Sequence, residues 1–97
     1  MDEAQLSIRR RRLWYRCRYR GFREADLLLQ SFARAWLDRL DGEELARFEA
    51  LLDESDADIW DWVTERRPAP ARHEGPVLER LRAFLRAGGA VVDRAGG

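Results

Sequence analysis

Arg20-Gly21-Phe22-Arg23-Glu24 separates an Arg-rich run from a strongly apolar one, and its reading decides the fold. Glycine inside a helix costs roughly 1 kcal/mol relative to alanine. Gly21 therefore marks a helix stop, in the left-handed conformation that closes an α-helix. Glu24 and Asp26 follow at once, where carboxylates favour the positive end of the next helix. The segment predicts a tight helix–helix corner with two cations, Arg20 and Arg23, and an anion within five residues.

On the N-terminal side of the corner, the spacing predicts a helix from about Leu6 to Tyr19 after a frayed start at residues 1–5. Leu6, Leu13 and Cys17 share one face with Trp14 at its edge. Ile8, Tyr15 and Tyr19 lie nearly opposite, interleaved with Arg11, Arg12, Arg16 and Arg18. A surface helix needs one apolar stripe for its own core. The second stripe either meets a partner or wraps over neighbouring helices.

On the C-terminal side, a second helix is expected from about Glu24 to about Asp38. Leu29, Phe32, Trp36 and Leu40 recur at helical spacing, and Leu28 and Ala35 widen the stripe. Asp41 and Glu44 form a capping pair for a third helix carrying Leu45, Phe48, Leu51 and Leu52 and ending near Asp53. Ser55 or Asp56 caps a short fourth helix with Ile59, Trp62 and Val63 on one face. Pro68 and Pro70 stop it, since proline biases the residue before it away from helix. Residues 67–75 read as a loop. Pro76 opens a fifth helix with a stripe of Val77, Leu78, Leu81, Phe84 and Leu85, and Gly88-Gly89 ends it. No segment alternates like a strand. The expectation is an all-α, five-helix bundle forming a single domain over 1–97, ordered about 6–88 with a mobile tail at 90–97. Its core includes Leu13, Leu29, Phe32, Leu45 and Phe48, together with Leu52, Ile59, Trp62, Val63 and Leu81.

A formal net charge of zero over 97 residues hides a segregation. Residues 1–23 carry eight Arg against two acids, a net of +6. Residues 24–65 carry thirteen acids against three Arg, a net of −10, and residues 66–97 carry seven Arg against three acids, a net of +4. Such a chain either folds its basic first helix against its acidic middle or orients a partner. One Cys and one His exclude a disulfide framework and an ordinary zinc site within the chain. No apolar run has the length of a membrane span, and no signal-peptide core is present. An Arg-rich start imitates a mitochondrial transit peptide, but here the arginines merge into the corner. The expectation is a soluble cytoplasmic monomer.

The chemistry on offer is sparse. There is no phosphate loop and no dinucleotide fingerprint. Cys17 reads as a small core residue, His73 as a solvated loop residue, and Asp58 and Asp61 as exposed helix-face carboxylates rather than metal ligands. No metal site and no catalytic residue are expected.

The order of motifs carries a resemblance. An Arg-rich helix leads into Arg20-Gly21-Phe22-Arg23-Glu24, then Asp26-Leu27-Leu28-Leu29, Phe32 and Leu51-Leu52-Asp53. Asp56-Ala57-Asp58-Ile59-Trp60-Asp61-Trp62 and a Pro-containing loop follow. Over about residues 9–86 this resembles the SdhE family of succinate dehydrogenase assembly factors, with their Arg-Gly-x-x-Glu signature. The resemblance implies a five-helix protein, not an enzyme, that binds the flavoprotein subunit of succinate dehydrogenase or fumarate reductase. It implies promotion of covalent FAD attachment to a histidine of that subunit, with FAD the client's cofactor and not held stably by this chain. By position, Arg20, Gly21 and Glu24 are the signature residues of the partner-facing surface, with Arg16, Tyr19 and Arg23 beside them. Tyr19 departs from the His common in relatives; it keeps a flat polar ring but supplies no proton near neutral pH.

Three rival readings remain. One is a small helical nucleic-acid-binding protein using the Arg-rich first helix on phosphates, against which the acidic middle and the lack of helix-turn-helix spacing count. Another is a subunit binding FAD itself through Arg20 or Arg23. The third is a purely structural corner pinned by an Arg20–Glu24 ion pair.

Overall fold

The computed structural model describes residues 3–18 and 20–88. Five α-helices cover most of this span: α1 (Glu3–Arg16), α2 (Arg23–Trp36), α3 (Gly42–Leu52), α4 (Asp56–Val63) and α5 (Pro76–Arg86). Single 3-10 turns at Leu37–Arg39 and Ala71–His73 complete the regular structure, and no strand occurs among the described residues. The all-α expectation holds.

α2 is the central element. It buries Ala25, Leu28, Leu29, Ser31, Phe32 and Ala33, and α1, α4 and α5 all pack on it. Ala35, expected to widen its stripe, is exposed; Ala25 and Ala33 do so instead. Phe32 lies at the centre of the core, 5.6 Å from the ring of Phe48 on α3 and 5.7 Å, edge-on, from Phe84 on α5. All ten of the expected core residues are buried.

The helix boundaries have specific causes. The Asp41 carboxylate accepts from the Glu44 amide at 2.8 Å, and the Glu44 carboxylate accepts from the Asp41 amide at 3.1 Å. This is the reciprocal capping that the sequence signals. The Ser55 hydroxyl accepts from the Asp58 amide and opens α4. α4, however, ends before its prolines act. Glu65 takes φ +63°, with Arg66 N–H donating to the Asp61 carbonyl at 2.9 Å and Glu65 N–H to that of Trp62 at 3.3 Å. That is a Schellman closure with glutamate in the left-handed position. Asp58 and Asp61 both grip Arg67, which folds back over the end of the same helix.

Four expectations change. α1 begins at Glu3, inside the segment expected to fray, and ends at Arg16 rather than Tyr19. α2 ends at Trp36 and tightens into the 3-10 turn. The segment after α4 includes the 3-10 turn at Ala71–His73. His73 is buried rather than solvated, its ring 5.4 Å from Trp62 and its Nε2 2.6 Å from the Glu54 carboxylate. An imidazole is a flat ring with polar edge nitrogens, which suits a site with an indole on one side and a carboxylate at the edge. Tyr19 and the tail at 90–97 lie outside the described residues.

Candidate functional site

The candidate site is the corner from Cys17 to Asp26. α1 closes with Cys17 and Arg18 N–H groups donating to the carbonyls of Leu13 and Tyr15 at 3.1 and 3.2 Å. Gly21 follows five residues after the last helical residue, with φ +99°. Its positive φ agrees with the sequence; its role as the residue closing the first helix does not. It redirects an irregular connection into α2 instead. A Cβ built there meets nothing within 4 Å, so backbone conformation and not space calls for glycine.

Arg20 is turned inward. Its Nε donates to the Asp56 carboxylate, and its Nη2 donates to the carbonyls of Leu52 at 2.9 Å and Glu54 at 3.1 Å. Nη1 reaches the Arg16 carbonyl at 3.3 Å. The last carbonyls of a helix have no intrahelical donor, and here one guanidinium serves the ends of both α1 and α3. The Arg20 and Asp56 side chains are only 14% and 13% exposed. The Arg20 amide meanwhile donates to the Asp26 carboxylate at 2.9 Å, tying the corner to the first turns of α2. The internal Arg20–Glu24 ion pair is thus replaced by Arg20–Asp56.

The other residues singled out by sequence face outward. Glu24 and Arg23 are exposed, and neither side chain makes an ion pair or hydrogen bond with a described residue. Arg16 is exposed and bridges to Asp53 at 2.6 Å. Phe22 and Trp60, both half-buried, pack 6.2 Å apart beside the corner. The structure therefore brings Gly21, Arg23 and Glu24 to one surface, with Arg20 beneath them and Arg16 at the rim. Sequence reasoning placed Asp26 at the start of α2 but not as the acceptor of the Arg20 amide, and it missed Asp56 as part of this corner. The junction Leu52–Ser55 leaves helix-end carbonyls that need a donor from elsewhere in the chain, a signal for a donor such as Arg20 but not for the acceptor Asp56.

Two neighbouring groups have displaced ionisation. Burial pushes the Cys17 thiol up to about 12, against the opposing pull of Arg20 and Arg16. The hydrogen bond from His73, and then that from Arg72, hold the Glu54 carboxyl below its ordinary value. Cys17 is a buried core residue, as its sequence position suggests.

Residues 11–85 match the family described as "Flavinator of succinate dehydrogenase". The chain is 46% identical over 92 residues to a protein of Cryptococcus neoformans named "Succinate dehydrogenase assembly factor 2, mitochondrial", covering 94% of this chain and 51% of that one. A protein of the same name from Yarrowia lipolytica is 44% identical over 82 residues, 80% of this chain and 57% of the relative. The "FAD assembly factor SdhE" of Acetobacter pasteurianus is 38% identical over 79 residues, 81% of this chain and 72% of that one. The chain thus spans about half the length of these two mitochondrial relatives. Their names overturn the cytoplasmic expectation: composition and the missing signal core carried no information on organelle. With a family match across both helices of the corner and on into α5, this chain belongs to the succinate dehydrogenase assembly factors, the flavinator family that includes SdhE.

Proposed function

We propose that this chain binds the flavoprotein subunit of succinate dehydrogenase or fumarate reductase and promotes covalent attachment of FAD to it. The place of action proposed is the mitochondrion, after which its relatives in Cryptococcus and Yarrowia are named. The observation that carries the reading is the pair Arg23 and Glu24, exposed and without a partner among the described residues, on a corner tied down by the hydrogen bonds of Arg20. An opposite-charge pair of that kind presents a donor and an acceptor side by side, which suits docking to a complementary polar surface. Gly21, Arg23 and Glu24 make the client contact, Arg16 borders it, and Tyr19 joins it by its place in the sequence. Arg20 supports it.

Covalent flavinylation requires the flavin to be held in order against a nucleophilic histidine. FAD is the client's cofactor, and the client's groups carry out the chemistry. This chain's part is differential affinity: binding more tightly to the client conformer in which that geometry is reached raises its population. No group of this chain needs to exchange a proton or form a bond.

The test is Glu24→Ala with the flavoprotein from the same source, following covalent FAD by fluorescence of the denatured client. Glu24 lies in the first turn of α2, where a carboxylate contributes roughly 0.3–1 kcal/mol, so the variant stays folded by circular dichroism. Flavinylation is expected to fail. Full flavinylation by the folded variant reduces Glu24 to a helix-end carboxylate.

A further inference from the structure

A guanidinium has five N–H donors in a fixed plane, and Arg20 directs its own at a carboxylate and three main-chain carbonyls. The acceptors come from the end of α1, the end of α3 and the start of α4. Only Asp56 among them carries charge. It sits in the first turn of α4, where the helix N-terminus favours a carboxylate. The Arg20 side chain is therefore seated by Asp56, while the Arg20 amide is seated by Asp26 on α2. Gly21, at φ +99°, joins Arg20 directly to the exposed residues that follow, so the seat of Arg20 fixes where that short segment starts.

We propose that Asp56 is a positioning residue for client recognition: through Arg20 it sets where Gly21–Glu24 lies, without touching the client itself. This deepens the reading of the corner as a client-binding surface and rests on it. A half-closed corner still carries Glu24, but no longer in the one place where the client's surface complements it, so encounter continues and the complex dissociates faster. A pair of residues acting on one interface is recognised by non-additivity.

The experiment is a double-mutant cycle on client binding, read by titration of the intact chain against the flavoprotein subunit. Asp56→Asn keeps the side-chain volume and an acceptor oxygen but removes the charge. It is expected to weaken binding about tenfold in the wild-type background and to add almost nothing in the Glu24→Ala background. At saturating concentrations of the Asp56→Asn chain, covalent FAD on the client is expected to reach the wild-type level. Unchanged affinity for Asp56→Asn, or equal losses in both backgrounds, overturns the proposal, as does a flavinylation defect that persists at saturation. If Glu24→Ala alone binds normally, the reading of the corner as a client surface fails first, and that single variant identifies the failure. Should Asp56→Asn not fold, Asp26→Ala loosens the same residue from the α2 side, and equal losses for it in both backgrounds are likewise contrary to the proposal.

Discussion

Glu54 joins the corner to the 3-10 turn between α4 and α5. Its carbonyl accepts from Arg20, while its carboxylate holds Arg72 at 2.7 Å and His73 at 2.6 Å. The hydrogen bond from His73, with that from Arg72 second, lowers the carboxyl's pKa below its ordinary 4.5. A lowered folded-state pKa contributes stability that is fully present above about 4.5 and lost as pH falls through the folded value. Denaturation midpoints measured from pH 7 to pH 3 should therefore fall more steeply below 4.5 for the wild type than for Glu54→Gln. Parallel curves would show that the carboxylate adds nothing to acid resistance. Cys17 gives a second expectation. With its thiol pushed up to about 12 and its side chain buried, the reactive thiolate is suppressed. A disulfide reagent at pH 8 should label no protein in buffer and one thiol per chain in denaturant; prompt labelling of the native protein would place Cys17 at the surface.

Elements were legible wherever their signals were local. Leu45, Phe48 and Leu52 recur on one helix face, Asp41 and Glu44 cap each other three residues apart, and Pro76 takes the first position of α5. The seat of Arg20 was not legible, because three of its four acceptors lie 32 to 36 residues away, on α3, on α4 and in the junction between them. Nor was the burial of His73, which depends on Trp62 and Glu54 arriving from other segments. Periodicity reports which face of an element is apolar; it does not report which distant donor serves a helix end. Likewise Pro68 and Pro70 signal the end of α4 in the sequence, whereas the left-handed Glu65 closes it first. Gly21 was read correctly in conformation and incorrectly in position. Gly21→Ala tests the conformation alone, since the added methyl has open space and bears only the cost of positive φ. The expected loss is about 1–2 kcal/mol by chemical denaturation; an unchanged midpoint would mean the corner relaxes freely.

For the molecule as a whole, the segregated charges largely meet one another. Arg9 pairs with Glu49, Arg16 with Asp53 and Arg20 with Asp56, a ladder running the same way along the first basic run and the acidic middle. Arg10 donates to the carbonyls of Leu37 and Leu40 at 3.0 Å each. With Arg9, Arg10 and Arg20 engaged by the fold and Arg16 paired at its surface, the basic run is partly neutralised, and DNA or RNA binding is expected to vanish at physiological ionic strength. A fluorescence titration showing tight binding at that salt would restore the nucleic-acid reading. The core sets the other limit. Phe48 is fully buried against Phe32, so Phe48→Ala should cost ~3–5 kcal/mol out of the roughly 5–15 kcal/mol typical of a domain. An unaltered denaturation midpoint would contradict its central place. Finally, the half-buried Trp60 beside Phe22 gives the molecule an optical gauge of its own. Its indole stands next to the corner yet outside the Arg20 seat, so its emission follows changes in wetting there. With Trp14, Trp36 and Trp62 replaced by Phe, one indole would remain to report, without any attached dye, on whatever meets the corner.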